Sequence, residues 1–220
     1  MTSLGDFQHP SLAEIPERQL VHALMADPHW RQRVVGIHGI PNDAQIYSEV
    51  ELDGLDRKGD IDLLLVVPSR PHFATVVQVK RIKVKHETFA SGRPNKLDAL
   101  EKLEHQANLL ADLGFAQVYA FVFVVVDSRM QNNGEYRFDG LTPQLRDLIA
   151  ESLHLSGLAG RVGIVHCEFV QPIDHPPLTT GTSSVGLVRM PQVVSQPEPI
   201  TDWVAGKIAS RASEGVVDDA

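Results

Sequence analysis

One cysteine in 220 residues, Cys167, rules out a disulfide within the chain. Flanked by Val165, His166 and Phe169, its thiol reads as a buried strand residue in preference to a nucleophile. Apolar runs are too short to cross a bilayer, and the N-terminus lacks the basic-then-apolar pattern of a secretion signal. The expectation is therefore a soluble, cytoplasmic protein with no membrane partner. Positive charge is scarce as well. The net charge of -8 argues against a general nucleic-acid-coating surface, because phosphate binding is dominated by Lys and Arg. Missing too are internal repeats, a glycine-rich phosphate loop, Cys/His spacing for zinc and a helix-turn-helix. With 43% hydrophobic residues the chain can build one core of ordinary size, expected over residues 1–170, with residues 171–220 as a Pro/Ser/Thr-containing arm.

What is present concentrates between Lys58 and Lys85. Lys58-Gly-Asp60-Ile-Asp62 leads into the apolar run Leu63 to Val67, Pro68-Ser-Arg-Pro71 makes a turn, and Thr75-Val-Val-Gln78-Val-Lys80-Arg81 follows. Short Val- and Leu-rich runs bounded by Gly and Pro read as strands buried on both faces, here an antiparallel hairpin at the centre of a sheet. Alternation sends Gln78 and Lys80 to one face and Val77 and Val79 to the other. Burying a Lys and a Gln in such a strand costs free energy unless something pairs with them, and Asp62, at the mouth of the preceding strand, is placed to do so. A carboxylate, an amide oxygen and an ammonium at a strand opening can hold a divalent metal, a water and a phosphate. Mg2+ accepts one or two protein ligands when water and substrate complete its shell. Without a metal the same residues make a buried Asp–Lys ion pair.

At these residues the sequence resembles a family. Asp62, followed after about fifteen residues by Gln78-Val79-Lys80, is similar to the Asp…(Glu/Gln)-x-Lys signature of the PD-(D/E)XK nuclease superfamily, which includes restriction enzymes, archaeal Holliday-junction resolvases and the Mrr-like and NERD-type nucleases. The departure is Gln78, where most members have Glu and some have Gln; it removes one negative charge from the site. The resemblance covers roughly Glu17 to Val126. It implies an α/β fold with a restriction-endonuclease-like αβββαβ core, a central mixed sheet flanked by helices. It implies Asp62, the Gln78 side-chain oxygen and the Val79 carbonyl as ligands of Mg2+ or Mn2+, with Lys80 orienting the attacking water or neutralising charge on the phosphate. Glu17-Arg-Gln-Leu-Val is similar to the opening helix of the resolvase-like nucleases, whose Glu faces the metal; the helix dipole is an equally good reason for an acid in that first turn.

The rest of the chain is read around this core. Leu20, Val21, Leu24 and Met25 make the apolar stripe of a first helix, and a second short helix covers His29 to Val35. Ala44 to Leu52 reads as a strand beside that of Asp62. Its Glu49 and Glu51 are either an extra carboxylate for the site or solvent-facing acids, and Asp60 is either a second ligand or a loop cap. From Arg70 to Lys96 seven basic residues stand against one acid, Glu87, a local charge of +6 in a chain of -8. Arg81, Lys83, Lys85, Arg93 and Lys96 are thus the candidate nucleic-acid contacts, or else a solvated strand end and loop. Because Arg81 and Lys83 have the parity of Val79, a bulge or strand end near Arg81 is expected, followed by a mobile basic loop from His86 to Asn95. Lys96 to Leu113 is the best helix, ended by Gly114; His105 and Gln106 on it are solvated or reach the site. Phe115 to Val126 must be a central strand. Asp127 to Gly134 is a turn, Thr142-Pro143 starts a helix to about Leu155, Gly160 to Val170 is a further strand, and Thr201 to Ala212 a terminal helix.

The function expected is metal-dependent hydrolysis of phosphodiester bonds, with DNA as the leading partner. The competing class is a nuclease-like fold that has lost cleavage and serves as a nucleic-acid-binding or scaffolding subunit, for which Gln78 and the acidic total speak. A homodimer or a partner protein is left open.

Overall fold

Every residue of Gln117–Asp127 is buried, and the molecule is layered around that strand. The computed structural model describes residues 8–34, 40–41, 43–92, 94, 97, 99–129, 141–171 and 182–213. In chain order the elements are α1 (Glu17–Ala26), α2 (Pro28–Val34), β1 (Gln45–Glu51), β2 (Asp60–Val66), β3 (Thr75–Val84), α3 (His86–Ser91), α4 (Ala99–Leu113), β4 (Gln117–Asp127), α5 (Pro143–Ser152), β5 (Gly163–Gln171), β6 (Thr182–Arg189) and α6 (Glu198–Ser213). The protein is α/β, with a six-stranded mixed sheet in the order β1-β2-β3-β4-β5-β6. β3, β4 and β5 run parallel to one another; β1 and β2 on one side and β6 on the other are antiparallel to their neighbours.

The sequence explains why β3 and β4 are central. Both are continuous Val/Phe/Ile-rich runs without the polar alternation of a half-exposed strand, so each needs cover on both faces. One face of the sheet packs on Leu100, Leu103, Ala107 and Leu110 of α4, Leu145 and Ile149 of α5, and Ile200 and Val204 of α6. The other packs on Leu12, Ala13 and the α1 stripe of Leu20, Val21, Leu24 and Met25, with Trp30 of α2 edge-on to Phe169. Fully burying each Leu, Ile, Val or Met among them contributes about 1.5–3 kcal/mol. Helix ends fall where the chemistry puts them: the Thr142 hydroxyl accepts the Leu145 N–H, Pro143 opens α5, and Gly114 follows α4 at φ +93.

Two expectations are corrected. β3 does not bulge or stop at Arg81: it pairs without interruption with β4 from Thr75 to Val84, because the parallel neighbour extends past that point and holds it. Its odd-numbered basic residues therefore lie on the face covered by α1 and the turn before it. The stretch after Lys85 is no open loop over its first part but the short α3, begun by a Lys85 N–H bond to the Thr88 hydroxyl and ended at Gly92 with φ +68. Arg93, Asn95 and Lys96 lie outside the described residues, as does most of the Asp127 to Gly134 turn.

Beyond Gln171, β6 adds to the sheet edge and α6 packs into the core. Gln196 fastens this last part. Its Oε1 accepts the N–H groups of Ala74 and Ala116, both at 3.3 Å, ahead of β3 and β4, while its Nε2 donates to Pro71 O at 2.8 Å. Among the described residues no helix is long and apolar enough to cross a membrane.

Candidate active site

β2 and β3 pair only through Leu63–Val77, Leu64–Val76 and Leu65–Thr75, and beyond Leu63 the two strands part. The cause lies in β2 and β1 together. Ile61 packs with Leu64 and Val66 on the α4 face, whereas Leu63 and Leu65 face α1, so the alternation of β2 slips at Asp62. Directly opposite, the β1–β2 register runs from Ser48–Leu63 to Val50–Ile61 and omits the intervening pair, and Glu49 sits there at φ +51. A glutamate in that left-handed region is strained, a cost met by the surrounding pairs. Gly59, at φ +136, lets the chain re-enter β2 at Asp60.

Where β2 leaves, β3 keeps two N–H groups that a neighbouring strand would have bonded. Asp62 Oδ2 accepts the Val79 N–H at 2.7 Å, and Glu17 Oε2, from the first turn of α1, accepts the Arg81 N–H at 2.5 Å. Glu17 Oε1 also faces Lys80 Nζ at 3.4 Å. The Gln78 Nε2 donates to Asp60 O at 2.6 Å; since a carbonyl can only accept, this fixes which end of the amide is nitrogen. Asp62, Gln78, Val79, Lys80 and Glu17, named from the sequence, are thus brought together at one strand opening. Glu17 comes to it because the segment before α1 is tied down: Gln171 bonds Leu12 N and Pro10 O, and Arg129, paired with buried Asp127, donates to His9 O.

The electrostatics single out Asp62. Burial, reinforced by the nearby carboxylates of Asp60 and Glu17, pushes its pKa up to about 7, against the opposing pull of the Val79 N–H and Lys80. Crowded acids of this kind are relieved by a cation. Among the described residues no three His, Cys, Asp or Glu side chains cluster tightly enough to hold a metal ion by themselves. The donor set here is instead two carboxylates with an amide and a main-chain oxygen, which suits an ion that keeps water and substrate oxygens in its shell.

The remaining candidates are dispersed. Arg81 is 3% exposed, and its Nε and Nη1 have no hydrogen-bond partner; Lys83 is half-buried; Lys85 pairs with Glu14 at 2.8 Å. His105 is exposed on α4. Cys167 is buried, and burial pushes its thiol pKa upward, away from nucleophilic character. Glu49, Glu51 and Asp60 line an open groove of about 670 Å3 beside the site, together with Arg18, Asp53, Arg57, Lys58 and Gly59. Reading by local charge count overlooked Arg18, Arg57 and Lys58. The signal for them was adjacency, since Arg18 follows Glu17 and Arg57-Lys58 immediately precedes Gly59-Asp60.

Compared with known proteins, the chain matches no family model and no curated protein.

Proposed function

We propose that this chain is a metal-dependent nuclease with a restriction-endonuclease-like core, hydrolysing phosphodiester bonds of nucleic acid, DNA first among them. The carrying observation is Asp62: a carboxylate held by the Val79 N–H at a strand opening, its pKa raised to about 7 by burial and by two neighbouring acids, with Lys80 close by. Such a group is poised to exchange its proton for a cation. Asp62, the Gln78 Oε1 and the Val79 carbonyl would hold Mg2+ or Mn2+, with Glu17 assisting. Bound there, the metal would polarise the phosphodiester and lower the pKa of a coordinated water. Lys80 contributes positive charge where the phosphate gains negative charge, and its partner Glu17 holds the ammonium in place. Arg18, Arg57 and Lys58 offer phosphate contacts along the groove that approaches Asp60. A nucleic-acid substrate and a free thiol both fit a cytoplasmic setting.

One observation favours the second class, a nuclease-like fold without turnover. Asp62 and Glu17 each cap a backbone N–H, and Gln78 spends its amide on Asp60 O, so all three already have structural work. The two readings separate on supercoiled plasmid and short single-stranded DNA incubated in Mg2+, in Mn2+ and in EDTA, with Asp62→Ala alongside. Metal-dependent cutting that disappears in the variant supports the enzyme. Binding without cutting in any metal supports the inactive fold.

A further inference from the structure

Trp203, Lys207 and Arg211 stand four residues apart on α6 and so share one face of the helix, beside the stripe of Ile200, Val204 and Ile208 that packs into the core. All three reach the same stretch of chain. Trp203 Nε1 donates to Asp53 O at 2.7 Å, Lys207 Nζ to Asp53 Oδ1, and Arg211 Nη2 to Ser48 O at 3.0 Å. That stretch is one wall of the open groove: Glu49, Glu51 and Asp53 line it, and Arg57 and Lys58 follow in the loop that leads to Asp60. The loop is irregular, with Gly54 at φ +81, Asp56 at φ +50 and Gly59 at φ +136. Its own backbone bonds, Leu52 N to Gly59 O at 3.0 Å and Leu55 N to Leu52 O at 3.3 Å, close its neck and first turn and leave Arg57 and Lys58 exposed.

We infer that Trp203, Lys207 and Arg211 are positioning residues: α6 holds the groove wall that presents Arg57 and Lys58 to a nucleic-acid backbone, and so sets how tightly substrate is held, not how fast it is cut. The inference rests on the nuclease reading of the groove. Stability is a poor account of these bonds. The Asp53 side chain is 69% exposed, and an ion pair that open to water contributes little. The Trp203 ring is kept by the core, edge-on to Phe115 with centroids 5.9 Å apart, whether or not its N–H is bonded. What the bonds do fix is the place of Asp53 and, through it, of the loop that starts there. Arg211 fixes the other end of the wall, at Ser48, one residue before the kink at Glu49. Lys207 has a second effect, since it offsets the Asp53 carboxylate, which would otherwise repel a phosphate entering the groove.

The test compares the full-length chain with the triple variant Trp203→Phe, Lys207→Met, Arg211→Met, which keeps the ring and the alkyl stems and removes the three donors. Binding of labelled single-stranded and duplex DNA is read by anisotropy in EDTA, and cleavage kinetics in Mg2+. The triple variant is expected to raise Kd and KM about tenfold, with kcat and thermal unfolding unchanged. Lys207→Met alone serves should the triple variant fold poorly, and Lys207→Arg, which keeps the charge, should retain wild-type affinity. Hydrogen exchange of the amides from Asp53 to Lys58 should quicken in the triple variant while that of β3 does not. Unchanged loop exchange, an unchanged KM, or a loss confined to kcat overturns the proposal while the nuclease reading stands. A wild type that neither binds nor cuts DNA overturns both, and quickened loop exchange would then show that the failure lies in the nuclease reading and not in the hold of α6 on the wall.

Discussion

The two halves of β3 solve the same problem with different means. From Thr75 to Val77 the strand has β2 on one side and β4 on the other, and its hydrogen bonds and side chains are those of an ordinary core. From Gln78 to Arg81 β4 is still there but β2 has gone, and carboxylates take the place of the missing carbonyls. The exchange teaches that a strand edge can be satisfied in a way that also assembles charge. A neighbouring strand would have been cheaper, because it brings acceptors without net charge into a buried place.

That contrast can be broken from either side. The largest expected effect is on turnover in the proposed nuclease: Asp62→Ala or Lys80→Ala should lose at least roughly a thousandfold in metal-dependent cleavage, with far-ultraviolet circular dichroism unchanged. Beside the apolar half, Leu64→Ala on β2, at the residue that pairs with Val76, removes a fully buried side chain from the core cluster that includes the α4 leucines. It should cost about 2–5 kcal/mol by urea unfolding.

Next comes Asp62→Asn. In the unfolded chain Asp62 loses its proton near 3.8 and in the folded protein near 7. As pH rises between those values the unfolded state releases the proton and the folded state does not, so stability falls through this window and the penalty is complete above it. At about 1.4 kcal/mol per pH unit the two values bound the penalty at roughly 4 kcal/mol. Asparagine keeps an oxygen for the Val79 N–H and does not titrate. Asp62→Asn should therefore match the wild type near pH 4 and exceed it in thermal stability by pH 8; equal stability at both pH values would remove the charge argument for the site. Smallest is Gln78→Glu. It restores the commoner acid of the resemblance but sets a carboxylate oxygen against Asp60 O where the amide now donates, and should lower stability by about 1–3 kcal/mol in urea.

Much of this layout was legible in the sequence because it is written in local patterns. The runs from Leu63 to Val67 and from Thr75 onward, the helical repeat of Leu100, Leu103, Ala107 and Leu110, and the Thr142-Pro143 start each carry their signal within a dozen residues. The gathering of Asp62, Gln78, Lys80 and Glu17 was legible because strand alternation and a turn bring the first three to one opening. What escaped depends on partners far along the chain. Arg81 looks like a surface cation until α1 and the turn at Leu12–Glu14 are laid over it. The slip at Asp62 arises from a kink in β1 at Glu49, a backbone event without a glycine to announce it. β6, with its Thr, Ser and Gly, has a composition that suits a loose arm as well as a strand, and only β5 beside it decides.

The Gln196 clamp bears on how the chain comes to be folded at all. Ala74 and Ala116, buried ahead of β3 and β4, find the acceptor for their N–H groups 122 and 80 residues further on. Burying these N–H groups without that amide would cost about 1–3 kcal/mol each. A nascent chain can thus hold every residue of β3 and β4 and still lack the acceptor for the N–H groups ahead of them. Closure waits for the ribosome to deliver the last part, and contacts of such long sequence separation are the ones that slow a fold. A protein built this way commits late, and a chain cut short before residue 196 should emerge as a partly ordered intermediate, open to proteases.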